Sequence, residues 1–166
     1  MKTKIVTGFA GSGKSTYLRE NFVGNNIIYH DEWAKTFYKS EEAREVIYEY
    51  TGHSNISKEQ LIESLLCDHN FYEVYSDRGK SSFVEYITEQ LKTSKVDAIE
   101  IPFLYPFDVL REFGIEVVFI KRDIVSCIKT LEKDRGWSDD RIHMTIPNQI
   151  ENYINFRSEI DRYITI

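Results

Sequence analysis

The chain has 166 residues, 42% of them hydrophobic and 29% charged, with a net charge of −6. That length and balance suit a single domain with a sizeable buried core. The acidic excess excludes a protein that coats nucleic acid, although not a local basic groove. No apolar run reaches membrane-spanning length and the N-terminus lacks the apolar core of a signal peptide. A cytoplasmic location without membrane contact is therefore expected. Cys67 and Cys127 have no C-x-x-C spacing, and His30, His53, His69 and His143 no H-x-x-x-H spacing. Both thiols are expected free and buried, and structural zinc is not expected.

In chain order, Ile5–Gly8 reads as a short buried strand, and residues 8 to 15 then spell Gly8-Phe9-Ala10-Gly11-Ser12-Gly13-Lys14-Ser15. This is a full match to G-x-x-x-x-G-K-[ST], the phosphate-binding P-loop. Glycines allow positive φ, so successive N–H groups can turn inward toward phosphate oxygens. Ala10, Gly11, Ser12, Gly13, Lys14, Ser15 and Thr16 are the expected nucleotide-binding residues. Lys14 reaches the β- and γ-phosphates from an exposed loop, and the Ser15 hydroxyl ligates Mg²⁺. Chance yields this pattern in about one chain in 200 of such length. A helix from Ser15 to Asn21 completes the strand–loop–helix setting that the motif needs. The donor is a nucleoside triphosphate.

Asn26–Tyr29 is the second strand, and it runs into His30-Asp31-Glu32. A carboxylate just past that strand lies on the edge where open α/β sheets bind ligands. Phosphorylating an alcohol requires a proton acceptor, whereas a phosphate acceptor is already ionised and calls for arginines instead. Asp31 thus favours an alcohol acceptor, with a helix N-cap before Glu32 as its alternative role. Residues 36 to 95 form a helical block. Ser57-Lys58-Glu59-Gln60 and Ser82-Phe83-Val84-Glu85 both read as capping boxes opening helices. Gly52 and Gly114 read as helix C-terminal glycines, and Pro106 as a first-turn proline. Such an insertion is a natural seat for an acceptor.

The third strand, Ala98–Ile101, carries Glu100 near its tip, a Walker-B-like candidate for a water-mediated Mg²⁺ contact. After the fourth strand, Glu116–Ile120, the run Lys121-Arg122-Asp123 fails the guanine-reading [NT]-K-x-D because Ile120 occupies the first position. ATP is therefore the expected donor, and Asp123 the cap of the next helix. That helix leads into Lys133-Asp134-Arg135-Gly136-Trp137-Ser138, where a lid would bring cations to the migrating phosphoryl group. Arg135 is the leading candidate, with Lys133 and Arg141 behind it. Tyr163–Ile166 reads as a fifth strand.

The sequence resembles the dephospho-coenzyme A kinase family over most of its length. The matching pieces are Gly8 to Thr16, Asp31-Glu32, and Glu100-Ile101-Pro102-Phe103-Leu104. Looser matches are Tyr50-Thr51-Gly52, Lys58-Glu59-Gln60-Leu61, the stretch from Lys133 to Gln149, and Asp161-Arg162-Tyr163-Ile164. It departs at Lys58 and Thr145, where that family carries arginines. The resemblance implies transfer of the ATP γ-phosphate to the ribose 3′-hydroxyl of dephospho-CoA, a nucleotide-like acceptor, with Asp31 as base. It also implies a P-loop kinase fold, with a five-stranded parallel sheet in the order 2-3-1-4-5. Helices would flank this sheet, and a helical acceptor-binding insertion would interrupt it. The core would cover about 1–35 and 96–166. The first third is also similar to polynucleotide 5′-kinases, through Gly11 to Thr16, Arg19-Glu20 and Asp31-Glu32, which would admit nucleic acid as acceptor. A deoxynucleoside monophosphate kinase and a non-catalytic ATP-binding module are the other readings.

Overall fold

A computed structural model describes residues 2–24, 26–102, 110, 113–160, 162 and 164–166. The chain packs as two compact units, Met1–His30 with Thr93–Ile166, and Asp31–Lys92. In the first unit, β1 (Lys4–Thr7) pairs in parallel with β3 (Ala98–Glu100) on one side and β4 (Glu116–Phe119) on the other. β2 (Ile27–Tyr29) extends the sheet beyond β3. The sheet has five strands in the expected order, and β2-β3-β1-β4 form its body. The expected fifth strand shrinks to β5, the two residues Ile164–Thr165 beside β4. Tyr163 lies outside the described residues, as do Phe103, Leu104, Pro106 and Asp161.

Short apolar strands suit a parallel sheet, because helices must cover both of its faces. Successive strand residues point to opposite faces, and Val118 and Phe119 show this. Val118 joins Val6, Leu18, Phe22 and Ala98 under α1 (Lys14–Asn21). Phe119 packs with Ile160 of α8 (Arg157–Ile160), against Phe9 and with Tyr153 of α7 (Asp139–Asn155). A further cluster joins Ala10 to Leu131 of α6 (Ile124–Arg135) and to Ile142 and Ile146 of α7. Three strands end one residue earlier than the sequence suggests. Gly8 leaves β1 at φ 147 to open the loop. Ile101 and Ile120 still donate to Val6 O and Thr7 O, so only the boundary moves.

The second unit is helical, with α2 (His30–Phe37), α3 (Glu41–Thr51), α4 (Lys58–Cys67) and α5 (His69–Thr93). The Ser57–Gln60 capping box forms as expected, and Gly52 ends α3 at φ 72. Gly114 also has positive φ, 63. Ser82 does not open a helix, because α5 runs through it for 25 residues. Phe71, Tyr75, Gly79, Phe83 and Ile87 make an i, i+4 row along α5, and Phe71, Phe83 and Ile87 are buried. A glycine in mid-helix costs about 1 kcal/mol. Here an added Cβ would lie 3.5 Å from the Phe37 ring, an ordinary contact, so Phe37 does not require glycine at this position. Burial pushes the Tyr75 phenol up to about 12, with Tyr38 adding to the shift. Cys67, the last residue of α4, is exposed rather than buried, because the helix turns Leu61 and Leu65 toward its core instead; Cys127 is buried as expected. Among the described residues, no helix is long and apolar enough to cross a membrane.

Candidate active site

The loop after β1 turns on three positive-φ glycines, Gly8, Gly11 and Gly13. A Cβ on Gly8 would meet Ile120 O at 2.6 Å, and one on Gly11 would meet Cys127 O at 2.5 Å. The loop is thus wedged between the end of β4 and the first turns of α6, and no larger residue fits either position. Gly13 is the N-cap of α1 in the left-handed region and supplies no side-chain cap. Helix geometry leaves the first N–H groups of α1, those of Lys14, Ser15 and Thr16, without intrahelical acceptors. Such an end favours anions. Ser12 is buried, and its Oγ has no hydrogen-bond partner among the described residues. A glycine-walled cradle, an uncapped helix start and an orphaned hydroxyl fit a bound phosphate chain.

Lys14 is 5% exposed, which corrects the expectation of an exposed side chain. Its Nζ donates to Gly8 O at 3.0 Å and to Phe9 O at 2.9 Å. The loop thus curls around its own lysine and holds the ammonium with its carbonyls. Ser15 and Glu100 are brought together, with Ser15 Oγ 3.2 and 3.4 Å from the two Glu100 oxygens. The cause is register: Val6 pairs with Glu100 across β1 and β3, so the strand tip and the loop's far end share one edge. A hydroxyl and one carboxylate beside a phosphate cradle match how Mg²⁺ is held, with phosphates and water completing its shell. Among the described residues, no group of three or more His, Cys, Asp or Glu could hold a metal without such help. Glu100→Gln should raise the Mg²⁺ concentration for half-maximal nucleotide binding roughly 10–100-fold. An unchanged Mg²⁺ titration would remove Glu100 from the metal site.

Two residues outside the expected set grip the loop. Arg122 Nη1 donates to Gly11 O at 2.9 Å. Gln149 Oε1 accepts from Ala10 N at 2.8 Å, so that N–H faces α7 and not a phosphate. Ala10 itself packs in the apolar cluster with Leu131, Ile142 and Ile146. Cys127 stays a protonated thiol because burial pushes it up, against the opposing charges of Arg122 and Lys14.

Asp31 lies in the first turn of α2, which starts at His30 directly off β2. It is therefore not the N-cap, because the helix begins one residue before it. Asp123 does cap α6, accepting from Ser126 N at 2.8 Å. Hydrogen bonds from the Ser126 side chain and then its backbone hold the Asp123 carboxyl below its ordinary value of 3.8. The cap's contribution is complete above that value and is lost as the pH falls through the lower folded one. Asp123→Ala should thus lower the melting temperature at neutral pH, and the gap to wild type should close in acid. A gap independent of pH would mean that the charge is irrelevant to the cap. Arg135 ends α6 before the Gly136 C-cap and is exposed, as is Lys133. Arg141 lies over the Trp137 ring, 3.8 Å from its centroid. Of the three lid cations, Arg141 is thus held on an aromatic face.

No family model matches the chain, and neither does any curated protein. Solved structures do. TT1252 from Thermus thermophilus aligns with a TM-score of 0.66 at 17% identity, covering 99% of this chain and 86% of its own. The dephospho-CoA kinase from Campylobacter jejuni aligns at 0.58 and 17%, covering 100% and 88%. The chain shares their α/β fold. A gluconokinase from Sinorhizobium meliloti 1021 shares it at a TM-score of 0.55 and 18% identity, covering 99% of this chain and 81% of its own. At such identities the likeness is one of fold, and the chemistry must be argued from the site.

Proposed function

We propose that the protein is a kinase that moves the γ-phosphate of ATP to a hydroxyl of a small nucleotide-like acceptor, in the manner of a dephospho-CoA kinase. The observation that carries this is the Ser15–Glu100 pair at the end of a glycine-walled loop holding Lys14. Mg²⁺, when bound, neutralises charge on the phosphates, and Ser15 and Glu100 are the residues that would hold it. Lys14 exchanges the Gly8 and Phe9 carbonyls for phosphate oxygens. The first N–H groups of α1 and the Ser12 hydroxyl donate to the same chain of oxygens. Asp31 takes the proton that the acceptor hydroxyl loses as its oxygen bonds to the γ-phosphorus and the bond to the β–γ bridging oxygen breaks, releasing ADP, and Arg135 brings positive charge to the group in transit. A cytoplasmic setting belongs to this reading, because ATP is the donor and both cysteines are free thiols.

Charge supports a small acceptor over a polynucleotide. Asp31–Lys92 contains 13 Asp and Glu against 7 Lys and Arg, a net −6 that equals the whole chain's. A polyanionic strand gains its affinity by releasing counterions to Lys and Arg, which this unit lacks in excess. The deciding experiment offers radiolabelled ATP with dephospho-CoA, deoxynucleoside monophosphates, gluconate or a 5′-hydroxyl oligonucleotide. Label on dephospho-CoA is the expected result. Label on another acceptor would keep the kinase and replace the substrate. ATP binding with no transfer to any would favour a nucleotide-binding module without catalysis.

A further inference from the structure

Gln149 sits in the middle of α7, and its one carboxamide closes two hydrogen bonds. Oε1 accepts from the N–H of Ala10 in the phosphate loop, and Nε2 donates to Pro102 O, each at 2.8 Å. The amide can face only one way, since a flip would set donor against donor and acceptor against acceptor. Pro102 lies two residues beyond Glu100 at the end of β3. The side chain therefore ties the cradle that would hold phosphates to the strand end that presents the metal-holding carboxylate. The cavity lined by Gly8, Phe9, Pro102, Phe119 and Gln149 is only about 10 Å³, room for about one water molecule. Gln149 acts from below, through the loop.

We propose that Gln149 is a positioning residue that fixes the spacing between the phosphate loop and Glu100, so that one Mg²⁺ can engage both. The inference rests on the kinase reading of this site. Spacing matters only when both sides are engaged: a phosphate chain without metal needs the loop alone, whereas Mg²⁺ must meet the phosphates and the Ser15–Glu100 pair together. A merely structural glutamine would affect both nucleotide forms alike.

Gln149→Met keeps the side chain's length and removes both hydrogen bonds. Calorimetric titration with ATP, with and without Mg²⁺, should find MgATP bound roughly tenfold more weakly by the variant. Affinity for metal-free ATP should change less than about threefold. Wild-type protein that binds no MgATP would overturn the kinase reading and this inference with it. A Mg²⁺ enhancement of ATP binding that is as large in Gln149→Met as in wild type would overturn this inference alone. Should the variant not fold, amide exchange on wild-type protein decides. The Ala10 N–H should stay protected to the same degree with and without MgATP, because Gln149 and not a phosphate holds it. A freely exchanging Ala10 amide would refute the tie.

Discussion

Lys14→Met is expected to lower the rate of phosphotransfer by at least about 10²–10³, the scale for losing one preorganised charge aimed at a developing anion. Methionine is the better probe than alanine because Lys14 is buried. Its stem fills the same channel, so packing survives while the ammonium is lost. The Gly8 and Phe9 carbonyls lose a donor, and the cost appears as a melting temperature a few degrees lower for a domain of this size. Stability and rate thus part company: a small thermal shift with a large loss of turnover. The measurement is single-turnover transfer from radiolabelled ATP, alongside a thermal melt. A folded variant with wild-type turnover would show that Lys14 holds the loop together and does nothing to the phosphoryl group.

The phosphate loop was legible because its chemistry is local. Three glycines, a lysine and a serine within eight residues dictate both the backbone and the site. The parallel sheet was legible for a related reason, since short apolar runs separated by helical patterns leave few other arrangements. What stayed hidden depends on partners distant in sequence. Gln149 reaches a loop residue 139 positions away, and Arg122 one 111 positions away. One clue to Gln149 was available, as it is a polar residue inside the stripe Ile142, Ile146, Ile150 and Tyr153 on α7. A half-buried polar side chain on an apolar face needs partners, and that need can be read before the partners are known. The false helix start at Ser82 has the opposite lesson. Its capping-box pattern is real, but the unbroken row from Phe71 to Ile87 outweighs a local signal worth about 1 kcal/mol. As a cap, Asp31 was read two residues out of place for want of any turn between β2 and α2.

Asp31→Asn is expected to reduce kcat by about 10²–10⁴, the range for removing a positioned general base. Asparagine keeps the shape and much of the hydrogen bonding, so the change isolates the proton acceptor. ATP affinity should stay near wild type, because the triphosphate is held by the loop and by α1. Asp31 has a competing role that its position makes specific. In the first turn of α2 its negative charge favours the helix start, an effect of about 0.3–1 kcal/mol. That role alone predicts a slightly lower melting temperature with turnover untouched. The two roles can coexist, and their signatures do not overlap: one is read in kcat and the other in the melt. Measuring kcat, ATP affinity and melting temperature on this one variant therefore separates them. Undiminished kcat would leave Asp31 as a helix-start charge and remove the residue-level reason for an alcohol acceptor. The phosphate loop and the Ser15–Glu100 pair would stand, and a site that clamps an already ionised acceptor phosphate would become the better reading.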